Sequence, residues 1–220
     1  MAKEVTKFLK SRNVKSPSRG FPTDAGIDFF VPVFDVKFIE DFKKKNPDLF
    51  KENHDVGGFN ISSMCSGTLT IGPQSEIKYD LEDCNDSIFK FDEETGEPYF
   101  LLPPHSRALI PAGIHSRMAS PGRALIASNK SGVASKLGLV FGAQVVDYTY
   151  QGEIHINVIN TSTKTVRIFQ NMKLIQFVET PIITNDIEIS VVEEPTDVFD
   201  FYEGMENDRK DGGFGSTDKK

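Results

Sequence analysis

Short runs in which apolar and polar residues alternate recur along most of the chain and predict a series of short β-strands. Ile154, Ile156 and Val158 fall on one face of a strand, with His155 and Asn157 on the other. That is the period-two pattern of a half-buried strand. Further strands are expected at Val5–Leu9, Phe29–Val33, Thr68–Ile71, Ile77–Leu81, Ile88–Phe91, Tyr99–Leu102 and Pro121–Ser128. Val166–Val178 supplies two more around Gln170-Asn171-Met172, and Phe141–Val146 and Gly152–Asn160 read as the two arms of a hairpin. One stretch breaks the rule. Phe38, Ile39 and Phe42 lie at helical spacing with Lys and Glu between them, and Pro47 ends that helix or starts another. Ser16–Thr23, rich in Ser, Pro and Gly, is loop.

Candidate chemistry sits where these strands meet their turns. Lys130, Ser131 and Gly132 place a cation, a hydroxyl and a glycine side by side. Downstream, Val145-Val146 run into Asp147, with Tyr150 three residues on and Gly152 closing the turn. A carboxylate ending an apolar strand beside an aromatic suits a pocket for a flat ring and an activated water. Read alone, the same stretch is equally a hairpin with a capping aspartate. Ala25-Gly26 allows close backbone approach, and Asp28 stands at a strand start, where its plain role is a turn cap. Near the C-terminus, Arg209-Lys-Asp-Gly-Gly-Phe-Gly-Ser-Thr217 offers backbone N–H groups that can converge on an anion, with Ser216 and Thr217 adding hydroxyls. The spacing is not that of a P-loop. His54, His105, His115 and His155 are expected to be surface residues instead of catalytic bases, since none has an apparent partner.

Together these segments resemble the five motifs of the trimeric all-β dUTPases, in that family's order. Asp24-Ala-Gly-Ile-Asp28-Phe-Phe30 resembles the first motif, Lys130-Ser-Gly132 the second, and Val145-Val-Asp-x-x-Tyr-x-Gly-Glu153 the third. Met172-Lys-Leu-Ile-Gln-Phe177 resembles the fourth and Arg209–Thr217 the fifth. The resemblance implies a dUTPase-like β-barrel or jelly-roll-like sandwich, assembled as a homotrimer with shared active sites. Residues 1–32 and 98–180 would be its core, and 33–97 a partly helical insertion, because the first two motifs stand farther apart than is usual. Residues 181–208 would be an acidic arm bearing aromatics, and 209–220 a Gly-rich tail that closes over nucleotide.

The implied reaction is hydrolysis of dUTP to dUMP and diphosphate, with Mg²⁺ and with Asp147 activating water. The implied substrate-binding set is Lys130, Ser131, Gly132, Val146, Tyr150, Gln176, Arg209, Phe214, Gly215, Ser216 and Thr217, and Asp28 would meet the metal through water. In the family the hairpin's main-chain groups read the uracil edge, and the tyrosine packs under the deoxyribose, leaving no room for a 2′-hydroxyl. The chain departs from the pattern at Lys130 and Lys173, where arginine is common, at Gln144, where a glycine is usual, and at Thr149, where a second aspartate is common. Lysine keeps the charge but loses the planar fork.

Composition narrows the rest. A net charge of −7 argues against a general nucleic-acid or acidic-membrane binder, yet a phosphorylated small molecule needs only local cations. Met1–Gly20 lacks the apolar region of a signal peptide, and no apolar run approaches membrane-spanning length. Cys65 and Cys84 are too few for a disulfide framework or a zinc site, so a reducing cytoplasm is the expected setting. Two rivals stay open. The related dCTP deaminases share the fold but need a catalytic glutamate and an arginine-rich second motif, neither of which is found here. A dUTPase-like nucleotide-binding regulatory protein without strong catalysis is the other.

Overall fold

The computed structural model describes residues 5–50, 88–183 and Ser190, with the backbone of two short strands between. The chain separates into two units, Met1–Ile182 and Ile183–Lys220, and every described strand and helix belongs to the first. The strands are Lys7–Lys10 (β1), Gly26–Phe30 (β2), Leu69–Ile71 (β3), Ser75–Ile77 (β4), Phe89–Phe91 (β5), Pro98–Leu102 (β6) and Arg107–Pro111 (β7). They continue as Ile114–Arg117 (β8), Arg123–Asn129 (β9), Leu139–Phe141 (β10), Val145–Asp147 (β11), His155–Asn160 (β12), Val166–Phe169 (β13) and Lys173–Pro181 (β14). Helices α1 (Val36–Lys45) and α2 (Ser131–Leu137) interrupt them.

All pairings are antiparallel, and they form a four-stranded sheet in the order β11-β9-β14-β2 and three-stranded sheets β10-β12-β7 and β13-β6-β5. Strands β1 and β8 make a separate pair, as do β3 and β4. The alternation read from the sequence is realised in β12, where Ile156, Val158 and Asn160 are buried and the residues between them are half-exposed. Their buried faces meet one core that includes Phe29, Phe100, Leu102, Ile110, Leu125 and Ile168.

Helix α1 forms where its spacing predicts, and its Asp35 cap accepts the Phe38 N–H at 2.8 Å. Phe38 and Phe42 are wholly buried. The Phe42 ring stacks on Phe38 and meets Phe100 at 4.9 Å and Phe89 at 5.5 Å between centroids. After the helix, buried Asn46 donates to the Leu109 carbonyl at 3.0 Å and accepts the Leu109 N–H at 2.6 Å, standing in for a neighbouring strand at the open edge of β7. The helical part of the expected 33–97 insertion is therefore built into the core. Phe42→Ala should lower unfolding free energy by about 3–5 kcal/mol, read by chemical denaturation. A loss below about 1 kcal/mol would show α1 to be a loosely attached appendage.

Two local expectations change. Leu139–Phe141 does pair with Val158–Asn160, but Val145–Asp147 leaves that hairpin and pairs with Ala124–Ile126 of β9. The divergence starts at Gly142, where a Cβ would sit 2.9 Å from the Asn157 side-chain nitrogen. The two arms thus part into different sheets. Helix α2 was not legible, because Gly132, Val133 and Ser135 are poor helix formers. It closes at Gly138, whose φ of 65° is the left-handed conformation that glycine supplies at helix ends.

Candidate active site

Strand β14 brings three separated segments into one row. Gln176 stands opposite Asp28 of β2 on one side and Ser128 of β9 on the other. Lys130 follows the end of β9 and begins α2 as its cap. At this row Asp28 is buried, and each of its carboxylate oxygens meets a lysine: Lys130 Nζ at Oδ1, and Lys173 Nζ 3.1 Å from Oδ2. Burial alone pushes the Asp28 carboxyl up, but the hydrogen bonds and charges of Lys130 and then Lys173 outweigh it and hold the group below the ordinary carboxylate value. The Gln176 amide nitrogen donates to the Asn129 carbonyl at 3.1 Å. Its side chain lies over Gly26, where a Cβ would fall 2.1 Å from the amide oxygen. Ser131 and Gly132 are exposed at the start of α2, and space is open around Gly132. Two ammonium groups, an amide and a hydroxyl therefore share one end of this sheet, around one buried carboxylate.

Asp147 ends β11 on the exposed surface, and its carbonyl accepts the Tyr150 N–H at 3.1 Å. Val146 is partly buried against the core. The Tyr150 ring turns back over Gly152, where a Cβ would lie 2.5 Å from the hydroxyl oxygen, and the hydroxyl donates to the Glu153 carbonyl at 2.8 Å. A cleft of about 670 Å³ lies beside this turn, lined by Phe8, His115, Arg117, Tyr148 and Tyr150 among others. Gln144 uses its main chain, accepting the Ala127 N–H at 2.7 Å, and its side chain is exposed.

The two groups of residues lie apart. Asp147 pairs with Ala124 at the start of β9, and Lys130 follows its end. Six steps of extended chain separate those positions by about 20 Å. Asp28, Lys130, Lys173 and Gln176 are brought together in one chain, and Asp147 and Tyr150 are not among them.

A model of the dUTPase family matches residues 96–217, more than half of the chain. The chain belongs to the dUTPase family. A dUTPase of Paraburkholderia phymatum is 34% identical over 120 residues, covering 54% of this chain and 74% of the relative. One from Azoarcus sp. is 32% identical over 121 residues, covering 54% and 74%. Among solved structures, a mutant dUTPase of Staphylococcus bacteriophage 80alpha with dUpNHpp superposes with a TM-score of 0.55 at 18% identity, covering 98% of this chain and 99% of the other. A mutant dUTPase from phage phi11 of S. aureus, reported for its structural Mg(II) ion, gives 0.51 at 19% identity, covering 88% and 99%. At such identities these structures establish the dUTPase fold and nothing finer.

Several expected dUTPase site residues, Arg209, Phe214, Gly215, Ser216 and Thr217, lie outside the described residues, as does His54. His105 sits at a turn with a φ of 55°, and His115 Nδ1 lies 3.0 Å from the Gln151 carbonyl. His155 departs from expectation. It is half-buried, its Nδ1 meets the Glu153 carbonyl at 2.8 Å, and burial first, then Lys45, keep it below the ordinary imidazole value. The sequence reading missed Arg12, whose guanidinium binds Glu153 from 141 positions away. No local signal announces a partner at that separation. Among the described residues no helix is long and apolar enough to cross a membrane.

Proposed function

We propose that this member of the dUTPase family, a nucleotide hydrolase, cleaves dUTP to dUMP and diphosphate by in-line attack of water on the α-phosphorus. The observation that carries the reading is the row of Asp28, Lys130, Lys173 and Gln176, which offers two cations and an amide to a triphosphate around one ionised carboxylate. Lys130, Ser131, Gly132 and Gln176 bind phosphate. Arg209, Phe214, Gly215, Ser216 and Thr217 belong to the closing tail that completes the site. Val146 and Tyr150 take the base and sugar side, with Tyr150 against the deoxyribose.

Asp147 orients the attacking water and accepts its proton, as a general base placed near the reacting centre does. It lies about 20 Å along β9 from Lys130, too far to serve phosphates held by its own chain's lysines. A site using both sets draws them from two subunits, as the shared sites of the proposed homotrimer would supply. The residues fit magnesium only loosely. Among the described residues no three acidic or histidine side chains converge on a metal cage. Asp28 keeps lone pairs beyond its two lysines, which suits an outer carboxylate reached through water, as magnesium's retained water shell requires. When bound on the triphosphate, Mg²⁺ would neutralise charge developing on the phosphate oxygens.

Incubation with dUTP, dCTP and Mg²⁺, followed by product identification, tests this reading. Formation of dUMP and diphosphate is the expected outcome. A uracil triphosphate made from dCTP would point to a deaminase, and no turnover of either would point to a binding protein.

A further inference from the structure

Between β1 and β2, the Arg12 side chain is 5% exposed and reaches two carboxylates. Its Nε donates to Glu153 Oε1 at 2.6 Å and its Nη2 to Glu153 Oε2 at 3.0 Å, a fork-to-carboxylate fit. The same Nη2 meets Asp41 of α1. Glu153 Oε1 also accepts the Gly113 N–H at 2.7 Å. The Glu153 hydrogen bond, against the cost of burial, holds the guanidinium above its ordinary value. Burial pushes the Glu153 carboxyl up, and Arg12 and the Gly113 N–H outweigh it, so both partners stay charged.

The backbone of the same glutamate does a second thing. Its carbonyl accepts the Tyr150 hydroxyl at 2.8 Å, and that bond holds the ring down over Gly152. The tyrosine is 42% exposed, so packing alone does not fix it. The peptide carrying that carbonyl is also held by the Ile154 N–H, which donates to the Ile114 carbonyl at 2.8 Å, and His155 Nδ1 lies 2.8 Å from the same oxygen, while the side chain at 153 is held by Arg12.

We propose that Arg12 is a positioning residue for sugar discrimination: by clamping the Glu153 side chain it adds to the backbone hold on the carbonyl that anchors Tyr150, and so on the ring that stands against C2′ of the nucleotide. The inference rests on the reading, given under Proposed function, that Tyr150 packs against the deoxyribose. A ring free to swing admits an added hydroxyl, and a ring tied at its far end does not. Lysine at position 12 keeps the charge but cannot engage both carboxylate oxygens in the arginine fork.

The test compares Arg12→Lys, Tyr150→Phe and the double variant with the wild-type protein, measuring kcat/KM for dUTP and for UTP, together with Tm. Each single change should lower the dUTP/UTP preference by up to about tenfold, the worth of one hydrogen bond. The double variant should fall no further than Tyr150→Phe, because both changes cut one chain of contacts. An unchanged preference in Arg12→Lys, whatever its Tm, would make the arginine purely structural and overturn the proposal. Independent, multiplicative losses would also overturn it. Should Arg12→Lys not fold, Arg12→Gln carries the same comparison, and an unchanged preference in Tyr150→Phe alone would cut the proposed link. Wild-type protein inert toward dUTP would remove the underlying reading itself, an outcome separate from any change in preference.

Discussion

Asp147→Asn is expected to slow dUTP turnover by about 10²–10⁴-fold while affinity for a non-hydrolysable dUTP analogue changes little. The asparagine keeps the size of the side chain but cannot take a proton. Asp147 is exposed, and the contact that shapes its turn runs from its carbonyl to the Tyr150 N–H, which the substitution leaves in place. The turn and the ring should therefore stand, and kcat should fall with analogue binding nearly preserved. Single-turnover rates with saturating dUTP, paired with calorimetric titration of the analogue, separate the two quantities. Turnover within a few-fold of wild type would take Asp147 out of the reaction.

The second large effect concerns assembly. Asp147→Ala and Arg209→Ala each should leave negligible activity, because one removes the proposed base and the other a cation proposed to bind phosphate. If the third-motif segment and the tail reach a given site from different subunits, the two inactive proteins repair each other. Unfolded together in equal amounts and refolded, they would form mixed trimers under the proposed assembly. A site works when its third-motif donor carries Arg209→Ala and its tail donor carries Asp147→Ala, which random assembly makes true for about a quarter of sites. Activity near that fraction of wild type is the expected result. Background activity, with mixed trimers verified by native mass spectrometry, would place both residues in one chain's contribution.

Much of this is legible in the amino-acid sequence, and what is not has a common cause. The strands and α1 follow from local periodicity, and so does the burial of Ile156 and Val158. Lys130 and Asp28 stood out as motif residues, but nothing in their spacing says that one carboxylate binds two lysines 102 and 145 positions downstream. That pairing follows from strand order, with β14 between β2 and β9. Likewise the break in the hairpin at Gly142 depends on β9 offering an edge to Val145–Asp147, a competition that alternation within the segment cannot reveal. His155 looked like a surface residue because its alternating position marks the outer face of β12, and Glu153 and Lys45, from beyond that strand, change its surroundings.

The ring contacts of Phe42 also bear on how such a chain could be edited. Phe50 and Phe89, which flank residues 51–87, both touch Phe42, with centroids 6.3 and 5.5 Å from its own. The chain therefore departs from and rejoins the core at neighbouring points. Closing a connection between neighbouring points costs only about 0.6 kcal/mol more each time its length doubles. Changing the number of residues between Phe50 and Phe89 would therefore add or remove little closure entropy. The same surgery begun at Val36 would excise Phe38 and Phe42, and with them part of the core.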